Sequence, residues 1–345
     1  MALKRVTMQD IADACGLSRN TVSKIFNGRG TVPEPTRKLV LTKAQELGYW
    51  QIPDSDTEHN TYEAPKGNIA LLTRHKLLSH NFGAFFITSF TDQICRSGYT
   101  MRMYEISPEE IARKQLPPQL NVSEIAGFVG IELFDKEYLE MVCSLGKPTV
   151  FVDGYVRAST ELLFCDFISM ENIASEISLV RQLIAAGART IGFIGDIEHC
   201  NSFYERWAGL TIAMMDAGLP FDKKVCILEK DSELYGDTDW LLEKLNAFPR
   251  IPDAFVCAND YLAVHLMAAL KRMKLAIPDD VMIVGFDGAV EATLSEPPLD
   301  TVQIPSSEIG RLAAYIMMNR IQVPDSPFRW TYVKTTPIVG GTIRR

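Results

Sequence analysis

Residues 7–27, TMQDIADACGLSRNTVSKIFN, constrain what this chain can fold into more than any other stretch. Their punctuation predicts two short helices joined by a tight turn. Thr7 with Asp10 three residues on has the form of a capping box, and Gly16 supplies a turn position without steric cost. Ser18 is then a second N-cap, so the next helix is expected over residues 19–26, closed by Asn27 and Gly28. Ile11, Ala14, Leu17, Val22, Ile25 and Phe26 supply the apolar stripe that packs the helices together, while Arg19, Asn20, Ser23 and Lys24 lie off it. A third helix is expected from near Pro33, with Leu39, Val40, Ala44 and Leu47 buried and Gly48 at its end.

The outward-facing set suits a base-reading helix. In the major groove, guanine presents acceptors that Arg or Lys can meet, and adenine a donor–acceptor pair that Asn meets bidentately. Helix-turn-helix proteins read bases from the start of their second helix, where Arg19 and Asn20 stand. The plainer alternative is a small helical subdomain whose charges are merely solvated. Two capped helices around a glycine turn, followed by a third helix, speak against it.

Charge supports the same division. The chain carries 35 Lys and Arg against 43 Asp and Glu, a net charge of −8. Its first 50 residues hold 8 basic and 4 acidic residues, leaving 27 and 39 for the rest. A basic head on an acidic body is the asymmetry expected when only the head meets phosphates. At 345 residues with 47% hydrophobic and 23% charged composition, the chain has room for more than one domain and the make-up of a soluble globular protein. Seven scattered cysteines form no CxxC pair and no Cys/His cluster with ligand spacing, so free thiols, no metal and no cofactor are expected. With no apolar leader and no run long enough to span a bilayer, a cytoplasmic, nucleoid-associated bacterial protein without membrane contact is expected.

Residues 6–12 (VTMQDIA) and 17–27 (LSRNTVSKIFN), continued by Thr36-Arg37 and Glu46-Leu47-Gly48-Tyr49, resemble the signature of the lac repressor (LacI/GalR) family. The resemblance implies a bacterial transcription regulator, more often a repressor than an activator, working as a homodimer on a near-palindromic double-stranded operator. It places Arg19, Asn20 and Lys24 at base edges, with Thr21 and Ser23 at phosphates or bracing the helix. Thr7, Ser18 and Asn27 complete the expected DNA-binding set. Residues 50–66, WQIPDSDTEHNTYEAPK, depart from the pattern: four acids stand where relatives carry an apolar hinge helix that wedges the minor groove. A flexible tether, and an operator bent less than is usual for the family, is the expectation there.

From residue 68 onward short apolar runs alternate with amphipathic stretches. Strands are expected over 68–72, 99–106, 126–131 and 148–152, with helices over 82–96, from 108, and over 136–145. A second set follows, with helices over 172–186, 203–217, 238–247 and 261–272 and strands over 190–194, 225–228, 254–257 and 281–286. A helix over 309–321 and a strand over 332–337 end the chain. The expected organisation is thus a three-helix head over 1–49, a linker over 50–66, and a bilobed body over 67–345 made of two doubly wound parallel sheets. Such a body is similar to the periplasmic-binding-protein architecture, and the family resemblance extends into it. Gly187-Ala188-Arg189-Thr190-Ile191, Arg206-Trp207-Ala208-Gly209, Ala258-Asn259-Asp260-Tyr261-Leu262-Ala263, Val284-Gly285-Phe286-Asp287 and Pro297-Pro298-Leu299-Asp300-Thr301-Val302 carry it.

Ligands of doubly wound sheets sit beyond the carboxyl ends of the strands. That rule nominates Arg74, His75, Glu132 and Asp153 in the first lobe and Asp196, Asn259, Asp260 and Asp287 in the second. The resemblance adds Arg206, whose guanidinium points into the cleft in the family. Arg74, Asp153, Arg206, Asn259, Asp260 and Asp287 form the expected effector site, with Glu132 and Asp196 read as solvated. Asn259 and Asp260 serve equally well as helix caps. Carboxylates facing a five-donor guanidinium suit vicinal hydroxyls, so a sugar or sugar derivative is the expected effector. Control by a protein corepressor is a second reading. An enzyme is a third, opposed by the lack of GxGxxG, Walker, GxSxG or HExxH motifs.

Overall fold

The computed structural model describes residues 6–26, 32–47, 65–74, 81–160, 163–230 and 233–345. By its internal packing the chain falls into two units, Met1–Ala64 and Pro65–Arg345. Asn27, Gly48, His75 and residues 50–64 of the expected tether lie outside the described residues.

In the first unit, helices α1 (Met8–Cys15), α2 (Arg19–Phe26) and α3 (Glu34–Glu46) pack around Ile11, Ala12, Val22, Ile25, Phe26, Val40 and Ala44. The capping box forms: the Thr7 amide donates to Asp10 Oδ2 at 2.7 Å, and the Asp10 amide donates to Thr7 Oγ1 at 3.4 Å. Gly16 closes α1 at φ 65°, a left-handed conformation that glycine adopts freely. Ala14, Leu39 and Leu47, expected inside, are exposed. Each helix turns about 100° per residue and buries only a narrow stripe in so small a unit. Ala12 takes the inner position instead of Ala14, and Val40 with Ala44 excludes Leu39.

The second unit has two lobes. Strands β1 (Asn68–Thr73), β2 (Thr100–Glu105), β3 (Ile125–Ile131), β4 (Thr149–Val152) and β5 (Asp166–Met170) alternate with helices α4 (Asn81–Arg96), α5 (Pro108–Arg113) and α6 (Lys136–Ser144). The chain then builds the other lobe from α7 (Ile173–Ala185), β6 (Ile191–Ile194), α8 (Asn201–Asp216), α9 (Thr238–Asn246), β7 (Ala254–Cys257), α10 (Asp260–Arg272), β8 (Met282–Val284), α11 (Val290–Leu294) and β9 (Thr301–Gln303). It returns through α12 (Ser306–Gln322) and β10 (Trp330–Val333) and ends with β11 (Thr336–Ile338).

The first sheet has the order β10-β5-β4-β3-β1-β2, all neighbours parallel. Its inner strands are buried along nearly their whole length, which is why β1 and β3 read as continuous apolar runs rather than alternating ones. The second lobe holds the parallel sheet β6-β7-β8 and the antiparallel pair β9–β11. Helix α12 packs on α4 so closely that a Cβ on Gly310 would stand 2.5 Å from the Phe86 carbonyl oxygen. Only glycine fits that crossing.

Two expected strands take another form. Residues 225–228 contribute one bridge, Ile194 to Ile227, beside a 3-10 turn over Lys223–Val225 capped by Asp222. Residues 332–337 are not one strand but the end of β10 and the start of β11, which belong to different lobes. β5, β9 and α11 were not anticipated. β5 opens on a buried Asp166, whose carboxylate is paired to Arg320 at 3.0 Å, and that charge breaks the apolar run.

Candidate functional site

In the head, hydroxyls brace the helices and longer side chains stand free. The Thr7 hydroxyl is committed to Asp10 Oδ2 at 2.6 Å. Ser18 Oγ accepts the Thr21 amide at 3.1 Å and lies 2.9 Å from Thr21 Oγ1, so these two residues cap α2 together. With Val22, Ile25 and Phe26 inside, Arg19, Asn20 and Lys24 are exposed on the opposite side, and Ser23 is half-buried. No acidic residue lies in the first turn of α2, so its positive end is left open to an anion.

In the body, the segments that follow β3 and β4 meet the segment between β6 and α8 and the start of α8 across the cleft. Glu132 (φ 55°), Asp153 (φ 61°) and Asp287 (φ 122°), each just after a strand, have left-handed backbones that non-glycine residues rarely adopt. Strain of this kind persists where surrounding structure enforces it, and it gathers at ligand sites.

Arg206 is the centre. It is 2% exposed, donates Nε to Asn172 Oδ1 at 3.0 Å and Nη1 to the Ala258 carbonyl at 2.5 Å, and ion-pairs with Asp287 Oδ1 at 3.2 Å. Its guanidinium lies 3.8 Å from the centre of the Phe286 ring, a desolvated cation–π contact. Asp153 accepts the Gly154 amide at 2.8 Å and lies beside the polar groups of Cys200, the N-cap of α8, and Ser202 in its first turn. Burial raises the Asp153 carboxyl above the ordinary range; these groups and the nearby Arg206 charge oppose the rise. Further bonds join the lobes: the Asn201 amide donates to the Gly154 carbonyl at 2.8 Å, and the Arg157 amide donates to Asn201 Oδ1 at 3.1 Å. Phe134 of the first lobe meets His199 edge-on, with centroids 5.1 Å apart.

Of the six expected effector residues, the structure brings together Asp153, Arg206 and Asp287. Asn259 caps α10, accepting the Leu262 amide at 3.0 Å. Asp260 is 1% exposed, with its oxygens taken by the Thr301 hydroxyl at 2.5 Å and the Ala289 amide at 2.7 Å. Burial and the neighbouring Asp287 charge push that carboxyl up to about 7. Its contacts are internal, which corrects its nomination as a ligand contact. Arg74 is exposed and has no hydrogen bond or ion pair among the described residues. Asp196, read as solvated, is instead buried and accepts the Glu198 amide at 2.8 Å.

The residues that sequence reasoning missed surround Arg206. Glu205 accepts from Asn172 at 2.7 Å, Asn201 at 2.9 Å and the Tyr332 hydroxyl at 2.6 Å. Only the Asn201–Glu205 spacing of four on one helix was a readable signal. Glu176 of α7 is wholly buried with neither carboxyl oxygen hydrogen-bonded, and burial pushes it up to about 8.

All seven cysteines are free thiols. Among the described residues no group of three or more His, Cys, Asp and Glu has a metal-holding arrangement. No described helix is long and apolar enough to cross a membrane.

A helix-turn-helix head followed by a strained cleft between two parallel-sheet lobes defines a periplasmic-binding-protein-like regulator. Family models agree: residues 7–51 match bacterial regulatory proteins of the lacI family, and residues 180–343 match a periplasmic binding protein-like domain. The chain thus carries a lacI-family helix-turn-helix domain and a periplasmic binding protein-like domain. It is similar to the transcriptional regulator GalR of Lacticaseibacillus casei, 24% identical over 92% of this chain and 93% of the relative. The GalR regulator of Streptococcus thermophilus is 27% identical over 92% and 93%. Among solved structures, a CelR–cellobiose complex superposes with a TM-score of 0.70 at 22% identity over 98% of this chain and 100% of that one. The lac repressor dimer bound to operator and an anti-inducer gives 0.65 at 18% identity over 99% and 100%.

Proposed function

We propose that this protein is a transcriptional repressor whose homodimer binds a near-palindromic operator with affinity set by a carbohydrate held between the two lobes. Arg19, Asn20 and Lys24 would read bases, Thr7, Ser18, Thr21 and Ser23 would brace α2 or meet phosphates, and Asn27 would close the reading helix. Two copies are needed because one short helix spans only a half-site, and half-sites one helical turn apart demand a two-fold partner.

The observation that carries the effector reading is the ion pair at 3.2 Å between the buried Arg206 and the partly exposed Asp287, with Asp153 nearby. A hydroxyl both donates and accepts, so a vicinal diol can satisfy the guanidinium and a carboxylate at once. The similar CelR structure holds cellobiose, and a LacI family regulator of Enterococcus faecium with the same fold holds ribose. Arg206 is already neutralised by Asp287 and lies among acids, which favours a neutral sugar over an anionic one. Asp153 and Asp287 would take hydroxyls, and Asn259 would line the wall through the helix it caps.

The test is a footprint of the purified protein on genomic fragments, its own upstream region included, repeated with a panel of neutral saccharides and sugar acids. A protected near-palindrome whose occupancy changes with a neutral saccharide is the expected result. Protection that no saccharide alters, but that a protein fraction does, would replace the sugar by a corepressor.

A further inference from the structure

Glu205 and Asn172 stand next to Arg206 but have no place in the reading so far. Glu205 is 8% exposed and Asn172 1%, so neither is a surface residue with a free choice of orientation. A carboxylate only accepts hydrogen bonds, and Glu205 is saturated by donors. Oε1 receives the Asn201 side-chain amide at 2.9 Å and the Tyr332 hydroxyl at 2.6 Å, and Oε2 receives Asn172 Nδ2 at 2.7 Å. The second hydrogen on Asn172 Nδ2 is shared between the Met170 carbonyl at 3.0 Å and Ser202 Oγ at 3.3 Å.

That leaves Asn172 Oδ1 as the acceptor for Arg206 Nε at 3.0 Å. Flipping the amide would set its oxygen against the Glu205 carboxylate and its NH2 against the Nε–H, two repulsive contacts in a buried site. The sense of the Asn172 amide, and with it the acceptor under Arg206, is therefore fixed by Glu205 together with the Met170 carbonyl, and of the two only Glu205 is a side chain. Tyr332 lies on β10, so the same carboxylate is anchored to the crossover strand of the first lobe.

We infer that Glu205 is the positioning residue of the cleft: through Asn172 it holds the Arg206 guanidinium at the angle at which it faces Asp287 and the bound effector. The inference rests on the reading of Arg206 as an effector contact. It predicts that the guanidinium loosens when Glu205 is changed even though no hydrogen bond or ion pair joins the two side chains.

The test uses the full chain labelled with 15N and follows hydrogen exchange of the Arg206 Nε–H, assigned by its loss in Arg206→Lys. Arg320, buried against Asp166 at 3.0 Å, serves as the internal control. Glu205→Gln keeps the size of the side chain but presents an NH2 among donors. It is expected to speed Arg206 exchange about tenfold, the loss of one buried hydrogen bond, with Arg320 unchanged. Glu205→Ala should do the same; if it does not fold, the glutamine variant decides alone. Unchanged exchange at Arg206, or a rise shared with Arg320, overturns the inference. The effector reading is checked apart from this: an operator response to saccharide that survives Arg206→Lys removes the arginine from the effector site, whatever the exchange ratio shows.

Discussion

Replacing Glu176 by glutamine removes an ionisable group that the fold keeps protonated at a cost. The stem of its side chain is pressed against Gly209 of α8, where an added Cβ would stand 2.7 Å from the Glu176 Cβ. Neither oxygen has a hydrogen-bond partner, and burial, opposed by the Arg206 charge, raises its pKa from 4.5 to about 8. A group whose folded pKa is raised contributes stability that is complete below the unfolded value and lost as pH climbs through the folded one. The difference between those two values, at 1.36 kcal/mol per unit, sets a ceiling of roughly 5 kcal/mol, with about 3 kcal/mol already lost at neutral pH. Glutamine keeps the shape and the polar-group penalty but cannot ionise. The variant should therefore match the wild type near about pH 4.5, exceed it by about 3 kcal/mol at neutrality, and exceed it further at about pH 9. Urea denaturation of the full chain at several pH values, followed by tryptophan fluorescence with Trp207 on the adjacent face of α8, reads this directly. Asp153, Glu205 and Asp260 are also raised, so the absolute curve falls for several reasons. The difference between variant and wild type isolates Glu176. A difference that stays constant with pH would falsify the reasoning, because it would mean the charge is compensated in the native state.

Other perturbations act at other points of the molecule. Arg206→Ala should leave the footprint in place while removing its response to saccharide, at a loss of about a hundredfold or more in effector affinity, because the donors that would meet the sugar hydroxyls are gone; a retained response by titration would contradict this. Arg19→Ala and Asn20→Ala should each cost about 1–3 kcal/mol of operator affinity and relax one base position, whereas a uniform loss over all sequences would mark them as phosphate contacts. Ser18→Ala removes the cap of α2 and should speed exchange of the Thr21 amide by about tenfold, with no change expected in the amides of α12. Gly310→Ala forces a Cβ to within 2.5 Å of the Phe86 carbonyl and should destabilise the body by about 1–3 kcal/mol, read as a lower urea midpoint.

What sequence could reveal followed the range of the interactions involved. The head was legible because its determinants are local: Thr7 with Asp10, Ser18 with Thr21, and Gly16 between them act over three or four residues. β7 was read at its true limits, Ala254–Cys257, because a short apolar run was bounded by Pro-Asp and Asn-Asp. Asp287 was nominated by its position after a strand and Arg206 by family pattern, and the structure pairs the two at 3.2 Å. Glu205 was not nominated, since its partners Asn172 and Tyr332 are 33 and 127 residues away and no period joins them. Asp260 was over-read for the same reason. Its partner Thr301 is 41 residues on, and only the folded crossover turns a plausible ligand residue into an internal brace. The boundary between β10 and β11 was invisible because both halves have strand composition, and the division lies in which sheet each one joins.

Lys334 and Thr335 are all that separates β10, at the edge of the first sheet, from β11, paired with β9 in the other lobe. The chain also passes between the lobes after β5 and after β9, so neither lobe is a continuous segment of the gene. No single truncation can yield one lobe intact: a cut before α12 would take a helix and an edge strand from the first lobe and a strand from the second. The two lobes must therefore be inherited, expressed and degraded as one object. Insertions are tolerable at the outer loops but not at the three crossings, whose lengths set how far one lobe can turn against the other.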